Sequence, residues 1–122
     1  MMFISSCDFN LIKLIKANYP NFKVYIGDDS YFYQGLEEKV DGFISVISIY
    51  YGKLMKEIIG DYQIGFVNQI NISYLKLVCE VIFQYTNPIG IKYLLSKKGY
   101  KSMNLLLPLT KINSISNTFD LL

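Results

Sequence analysis

The chain has 122 residues, enough for one domain with a modest core, and 52% of them are hydrophobic, including eleven Tyr and eight Phe, which excludes a disordered tail. Its net charge is only +2 and its lysines are spread along the chain, which argues against a nucleic-acid footprint. It has no histidine, so histidine-based triads and zinc sites are excluded or nearly so.

The opening residues, "MMFIS", read as the tail of a strand. Asp8 is placed to cap a helix through "FNLIKLIKAN", closed by Pro20, with Leu11, Leu14, Ile15 and Asn18 at helical spacing. "FKVYI" (Phe22 to Ile26) is rich in β-formers and reads as a strand that Gly27 ends. Asp29 or Ser30 can cap the helix "YFYQGLEEK". "GFISVISI" follows, apolar on both faces, as a parallel strand covered on each side would be. "YYGKLMKEII" then returns as a helix up to Gly60-Asp61. Strand, helix, strand is the unit of a parallel sheet, and such sheets need several units.

Beyond residue 61 the pattern is helical only. Phe66, Ile70, Tyr74, Leu77 and Val81 form one stripe, with Ile72 and Leu75 on the opposite side, as in a helix packed between neighbours. In "TNPIG", Thr86 or Asn87 caps and Pro88 occupies the first turn of the next helix, "IGIKYLLSKK", which Gly99 ends. "LLLPLTKI" continues as an apolar, proline-interrupted segment.

Few residues suggest chemistry by themselves. Asp28-Asp29 with Glu37 and Glu38 resembles an acid/base or metal cluster, yet an aspartate at a helix start accounts for the pair, and the glutamates fall at the other end of that helix. Lys97, Lys98 and Lys101 read as cations at a helix C-terminus. Cys7 and Cys79 are far apart and form no CxxC pattern, which fits a reducing, cytoplasmic setting. The apolar runs are shorter than a membrane span, the N-terminus does not have the form of a signal peptide, and no glycine-rich phosphate loop is present. The composition therefore implies no metal, no cofactor, no nucleic acid and no membrane.

Five stretches taken together are more specific. "YIGDD", "DGFISV", "KLM", "TNPIGIKYLL" and "NLLLPLT" occur in an order and at spacings similar to the C-terminal part of the dihydrodipicolinate synthase / N-acetylneuraminate lyase family, where the pattern is approximately GDD, G-x-ISV, P-K-L-M, NPIPVK and LRLPLTPL. The resemblance covers nearly all of this chain but about the last two-fifths of the family's. It favours the dihydrodipicolinate synthase branch over the lyase branch.

The resemblance implies an α/β fold: part of a (β/α)8 TIM barrel, from the end of strand six to strand eight, over residues 1–61, then a helical extension over residues 62–122. It implies descent from a class I aldolase of the lysine/diaminopimelate pathway that binds pyruvate as a Schiff base. In the family the Schiff-base lysine opens a stretch similar to K-E-S-S-G-D, here "FISSCD", so its position falls on Phe3, or on Met2 with a shift of one. The first lysine, Lys13, is on the following helix. A phenylalanine offers no amine to attack a ketone, so the segment is expected to be inactive alone. The family's strand-eight isoleucine, which offers a backbone carbonyl to substrate, matches Ile44. Departures are "ISI" (Ile47 to Ile49) for T-A-N, Gly90 for the second proline of NPIPVK, and Leu106 for the arginine of LRLPL. A truncated remnant and an assembly module that pairs with a separate barrel half, or with itself, are the two expectations.

Overall fold

Local sequence and a small sheet determine the first half of the molecule. The structure, a computed structural model, describes residues 2–4, 8–100 and 117–122. Three short strands, β1 (Met2–Ile4), β2 (Val24–Ile26) and β3 (Gly42–Phe43), form a parallel sheet in the order β1-β2-β3. The register pairs Phe3 with Tyr25 and Tyr25 with Gly42, then Ile4 with Ile26 and Ile26 with Phe43.

The helices of this half are α1 (Phe9–Asn18), α2 (Phe32–Glu37) and α3 (Ser48–Gln63), with a single 3-10 turn at Asp29–Tyr31 before α2. Asp8 caps α1 as its sequence suggests: its carboxylate accepts the amides of Asn10 and Leu11 at 3.1 and 3.2 Å. The buried face of α1 differs from the expected one. Ile12 and Ile15 are buried against Val24 and Ile26, while Leu11 and Leu14 face solvent, Leu14 at 60% exposure. The alternation of β2 aims Val24 and Ile26 at α1, and the sheet selects the 12/15 face. Each such aliphatic side chain contributes roughly 1.5–3 kcal/mol on burial.

The strands are shorter than the apolar runs that encode them. Ladder pairing covers three residues of "FKVYI" and two of "GFISVISI", and the second run is not a strand covered on both faces. Ile44 is 54% exposed, and the backbone turns away after Phe43, so that Ile47 already stands at the start of α3. Apolar composition alone did not distinguish strand from helix start in this run. Gly35 lets α2 approach the sheet: a Cβ there would lie 2.6 Å from the Phe43 ring and 2.8 Å from the Ile26 methyl.

The second half is helical: α4 (Gln69–Ile82), α5 (Ile89–Lys97) and a final 3-10 turn at Asn117–Leu121. The chain divides into two compact units, 1–72 and 73–122, the division falling within α4. Asn68 starts α4, its side-chain oxygen accepting the Asn71 amide at 3.1 Å. The buried face of α4 is Ile72, Leu75, Val78, Cys79 and Ile82, with Val81 also buried. Of the expected stripe, Val81 is buried and Tyr74 and Leu77 are half-buried, whereas Ile70 is exposed and Phe66 precedes the helix and is also exposed.

At the start of α5, neither Thr86 nor Asn87 supplies a side-chain cap. Pro88 takes the cap position, and the Ile89 amide donates to the Thr86 carbonyl at 2.8 Å. Gly99 ends α5 as expected, at φ +98°, with the amide of Tyr100 donating to Leu95 at 3.0 Å. The final turn buries Phe119 against the Tyr93 and Tyr85 rings, at centroid distances of 4.8 and 6.0 Å. Lys97 pairs with Asp120 beside it. Cys7, Lys101 and Leu106 lie outside the described residues. Among those described, no helix is long and apolar enough to cross a membrane.

Candidate functional site

In a parallel sheet every strand points the same way, so loops that follow the strands gather at one end, where sites are usually built. Here that end comprises the residues after β2, Gly27 to Ser30, and those after β3, Ile44 to Ile47. The residues that sequence comparison singles out are distributed around it. Phe3 is the middle residue of β1 and Ile44 directly follows β3, so β2 stands between them. Two strand spacings, roughly 10 Å, separate β1 from β3.

Tyr25 stands in the same row as Phe3 and Gly42, and its ring lies over Gly42, where a Cβ would approach it to 2.7 Å. By the pleat, Gly42 shares the face of Tyr25, opposite the face of Val24 and Ile26 that packs on α1. Ile44 is fixed by its own amide, which donates to the Ile26 carbonyl at 2.9 Å.

The paired aspartates divide between two helices. Asp28, not Asp29 or Ser30, caps the turn that leads into α2, accepting the Ser30 amide at 3.0 Å. Asp29 is buried, at 5% exposure, and turns to the loop after β3. One of its oxygens accepts the amides of Val46 at 2.9 Å and Ile47 at 3.1 Å. The Ser45 hydroxyl lies close enough to this carboxylate to favour its charged form, and it also donates toward the Met55 sulfur at 3.6 Å. Ile47 makes no side-chain cap for α3; Ser45 accepts the Ser48 amide at 3.0 Å, and Asp29 satisfies the two amides before it.

Burial pushes the Asp29 carboxyl above the ordinary aspartate range. The Ser45 hydroxyl and the two amides pull it back down, and neighbouring Asp28 adds to the upward push. Sequence reading took Asp29 for a possible cap of the helix right after it. The signal in the sequence is the spare aspartate: one suffices for the turn before α2, while Val46 and Ile47, just before α3, carry no polar side chain to accept their own amides.

The acid/base or metal reading of the acidic residues finds no cluster. Glu38 pairs with Lys13 at 3.3 Å, on α1, and among the described residues no group of three potential ligands converges. Cys79 is a buried cysteine on α4 and in no disulfide. A cleft of about 380 Å³ between α2, β3 and α3 opens at the start of β3, at the other end of the strand from Ile44. Leu36, Val40, Phe43, Ile59 and Tyr62 line it. Asp41, at its edge, is engaged elsewhere: it accepts the Val24 amide at 2.8 Å and faces Lys16 and Lys23 at 3.7 and 3.6 Å.

Comparison with known proteins points the same way as the motifs. The model of the dihydrodipicolinate synthetase family matches residues 5–118. The 4-hydroxy-tetrahydrodipicolinate synthase of Listeria welshimeri is 34% identical over 111 residues, covering 89% of this chain and 38% of that one. The dihydrodipicolinate synthase structure from Thermotoga maritima superimposes with a TM-score of 0.76 at 27% identity, over 98% of this chain and 42% of the other. The enzyme from Acinetobacter baumannii, solved as a complex with pyruvate, gives a TM-score of 0.67 at 26% identity, over 89% and 37%. The chain thus spans about two-fifths of the length of the relatives it matches.

Proposed function

The chain belongs to the dihydrodipicolinate synthetase family, and on that basis we propose that residues 1–122 are a C-terminal segment of a pyruvate-dependent class I aldolase fold that forms no Schiff base by itself. In this reading β1, β2 and β3 correspond to strands six, seven and eight of a (β/α)8 barrel. Residues 1–61 belong to the barrel and 62–122 to its helical extension. Support comes from the parallel order β1-β2-β3, from helices between successive strands, and from 98% coverage of this chain by a synthase structure.

The single observation that carries the functional reading is Phe3. It lies on β1 at the position where the resemblance places the Schiff-base lysine. Imine formation needs an amine of lowered pKa beside the ketone, and the iminium is what then accepts electrons from the developing carbanion. Phe3 supplies neither. Lys13 is on α1, where it is 62% exposed and paired with Glu38. What the segment retains of the pyruvate site is the Ile44 backbone carbonyl, by the same resemblance. The groups that hold the pyruvate carboxylate and relay protons belong to the part of the family's chain that these residues do not match.

β1 and β3 each have one neighbour among the described residues, which supports self-association or pairing with a polypeptide that supplies the adjoining strands.

Aldol condensation of pyruvate with an aldehyde, followed by substrate consumption, tests the reading. The wild-type chain is expected to give no turnover above the uncatalysed rate. Phe3→Lys is expected to give none either, since groups acting as a unit are not restored singly. Turnover by the wild-type chain would overturn the proposal.

A further inference from the structure

We infer that Asp29 is the positioning residue of the Ile44–Ile47 loop, holding from a neighbouring strand's loop the backbone that presents the Ile44 carbonyl. The inference rests on the reading of Ile44 given above and adds the residue that fixes it. Three observations carry it.

First, the loop is held on both flanks by different partners. On the strand side the Ile44 amide donates to Ile26. On the helix side the amides of Val46 and Ile47 both donate to Asp29, at 2.9 and 3.1 Å. Only the peptide between Ile44 and Ser45 lies between these two anchors, so its orientation follows from them. Second, the loop's own bonds tie only residue 45 to residue 48: the Ser48 amide donates to the Ser45 hydroxyl and the Ser48 hydroxyl to the Ser45 carbonyl, both at 3.0 Å. Residue 47 makes no cap with its side chain, so the Val46 and Ile47 amides between them find their acceptor in Asp29. Third, the arrangement places an acidic group at the start of a helix of 16 residues. A carboxylate there interacts favourably with the amide ends of the helix, which offsets part of the cost of burying it. A plain surface cap would not require a side chain with 5% exposure reaching across 17 residues of sequence.

The geometry separates the two halves of the "GDD" stretch. Asp28 serves the next element in the chain, and its loss affects the turn at 29–31. Asp29 serves the loop between β3 and α3, and its loss affects residues 44 to 47. The two substitutions therefore have distinguishable local signatures.

The test is hydrogen exchange at single-residue resolution on the full chain, comparing wild type with Asp29→Ala, Asp29→Asn and Asp28→Ala. Asparagine keeps an acceptor oxygen in the same place; alanine does not. The expected result is loss of at least tenfold in protection at Val46 and Ile47 in Asp29→Ala, with Ile12 and Val24 unchanged. Asp29→Asn is expected to restore most of that protection, and Asp28→Ala to leave it intact. Unchanged protection at 46 and 47 in Asp29→Ala would overturn the inference, as would an Asn variant that behaves like Ala there. If Asp29→Ala unfolds the first unit, protection at Ile12 and Val24 is lost too and Asp29→Asn decides. Retention at 46 and 47 then supports the inference, and loss there with Ile12 and Val24 protected contradicts it. None of these readouts uses pyruvate, so failure of the aldolase reading would show in the turnover experiment and failure of the positioning role here.

Discussion

Adjacent aspartates at 28 and 29 serve different helices, and a third, Asp41, holds the opposite end of the sheet by its bond to the Val24 amide. Their ionisation acts on stability with opposite sign. The Val24 amide, with Lys16 and Lys23, holds the Asp41 carboxyl below its ordinary range. A depressed carboxyl contributes stability above its unfolded pKa and loses it as pH falls through the folded value. Asp29 is raised, so its contribution is present at low pH and is lost as pH rises through its elevated folded value. We expect Asp41→Asn to cost about 1 kcal/mol near neutrality and to flatten the acid limb of the stability curve below about pH 4. Asp29→Asn should remove a decline on the other side of that pH. Chemical denaturation of the three proteins across pH checks both; equal acid limbs in wild type and Asp41→Asn would contradict the first. Lys39 is a simpler case. It follows α2 at φ +55°, where a side chain costs roughly 1 kcal/mol, so Lys39→Gly should raise the denaturation midpoint.

At the scale of elements, two glycines set how closely segments approach. A Cβ at Gly90 would lie 2.0 Å from the Ile82 carbonyl oxygen, a backbone atom at the end of α4 that has no rotamer with which to yield. At Gly35 the atoms met are the ring of Phe43 and a methyl of Ile26, which can rotate. Gly90→Ala is therefore expected to cost about 3 kcal/mol or more and Gly35→Ala about 1–3 kcal/mol, read from thermal melts of each variant. The reverse order would contradict the packing. Gly90 replaces a proline of the family pattern, and in this chain the replacement sits where only the smallest residue fits. Much of the element order was legible: the cap at Asp8, the strand before Gly27 and the stop at Gly99 each follow from one residue's chemistry. The buried faces of α1 and α4 were not, because both helices carry apolar residues on more than one side and the neighbouring elements choose among them. The tether from Asp29 to Val46 and Ile47 was hidden for a related reason. It joins residues 17 and 18 positions apart, and local pattern reading assigns an aspartate to the helix nearest it.

The whole molecule carries a sheet whose outer strands, β1 and β3, each pair on one side only among the described residues. Three short strands with open edges are marginal unless other chain covers them. The purified 14.1 kDa chain is therefore expected to elute as an oligomer or to aggregate in size-exclusion chromatography with light scattering. A stable monomer in which residues 22 to 46 exchange as slowly as α4 and α5 would contradict that expectation. The central proposal concerns chemistry: that this segment of the dihydrodipicolinate synthetase family, with Phe3 where the resemblance places the Schiff-base lysine, forms no imine with pyruvate. Incubation of the chain with pyruvate and borohydride, followed by intact mass and peptide mapping, tests it most directly. The account predicts an unchanged mass; a stable pyruvyl adduct mapped to any of the twelve lysines would contradict it.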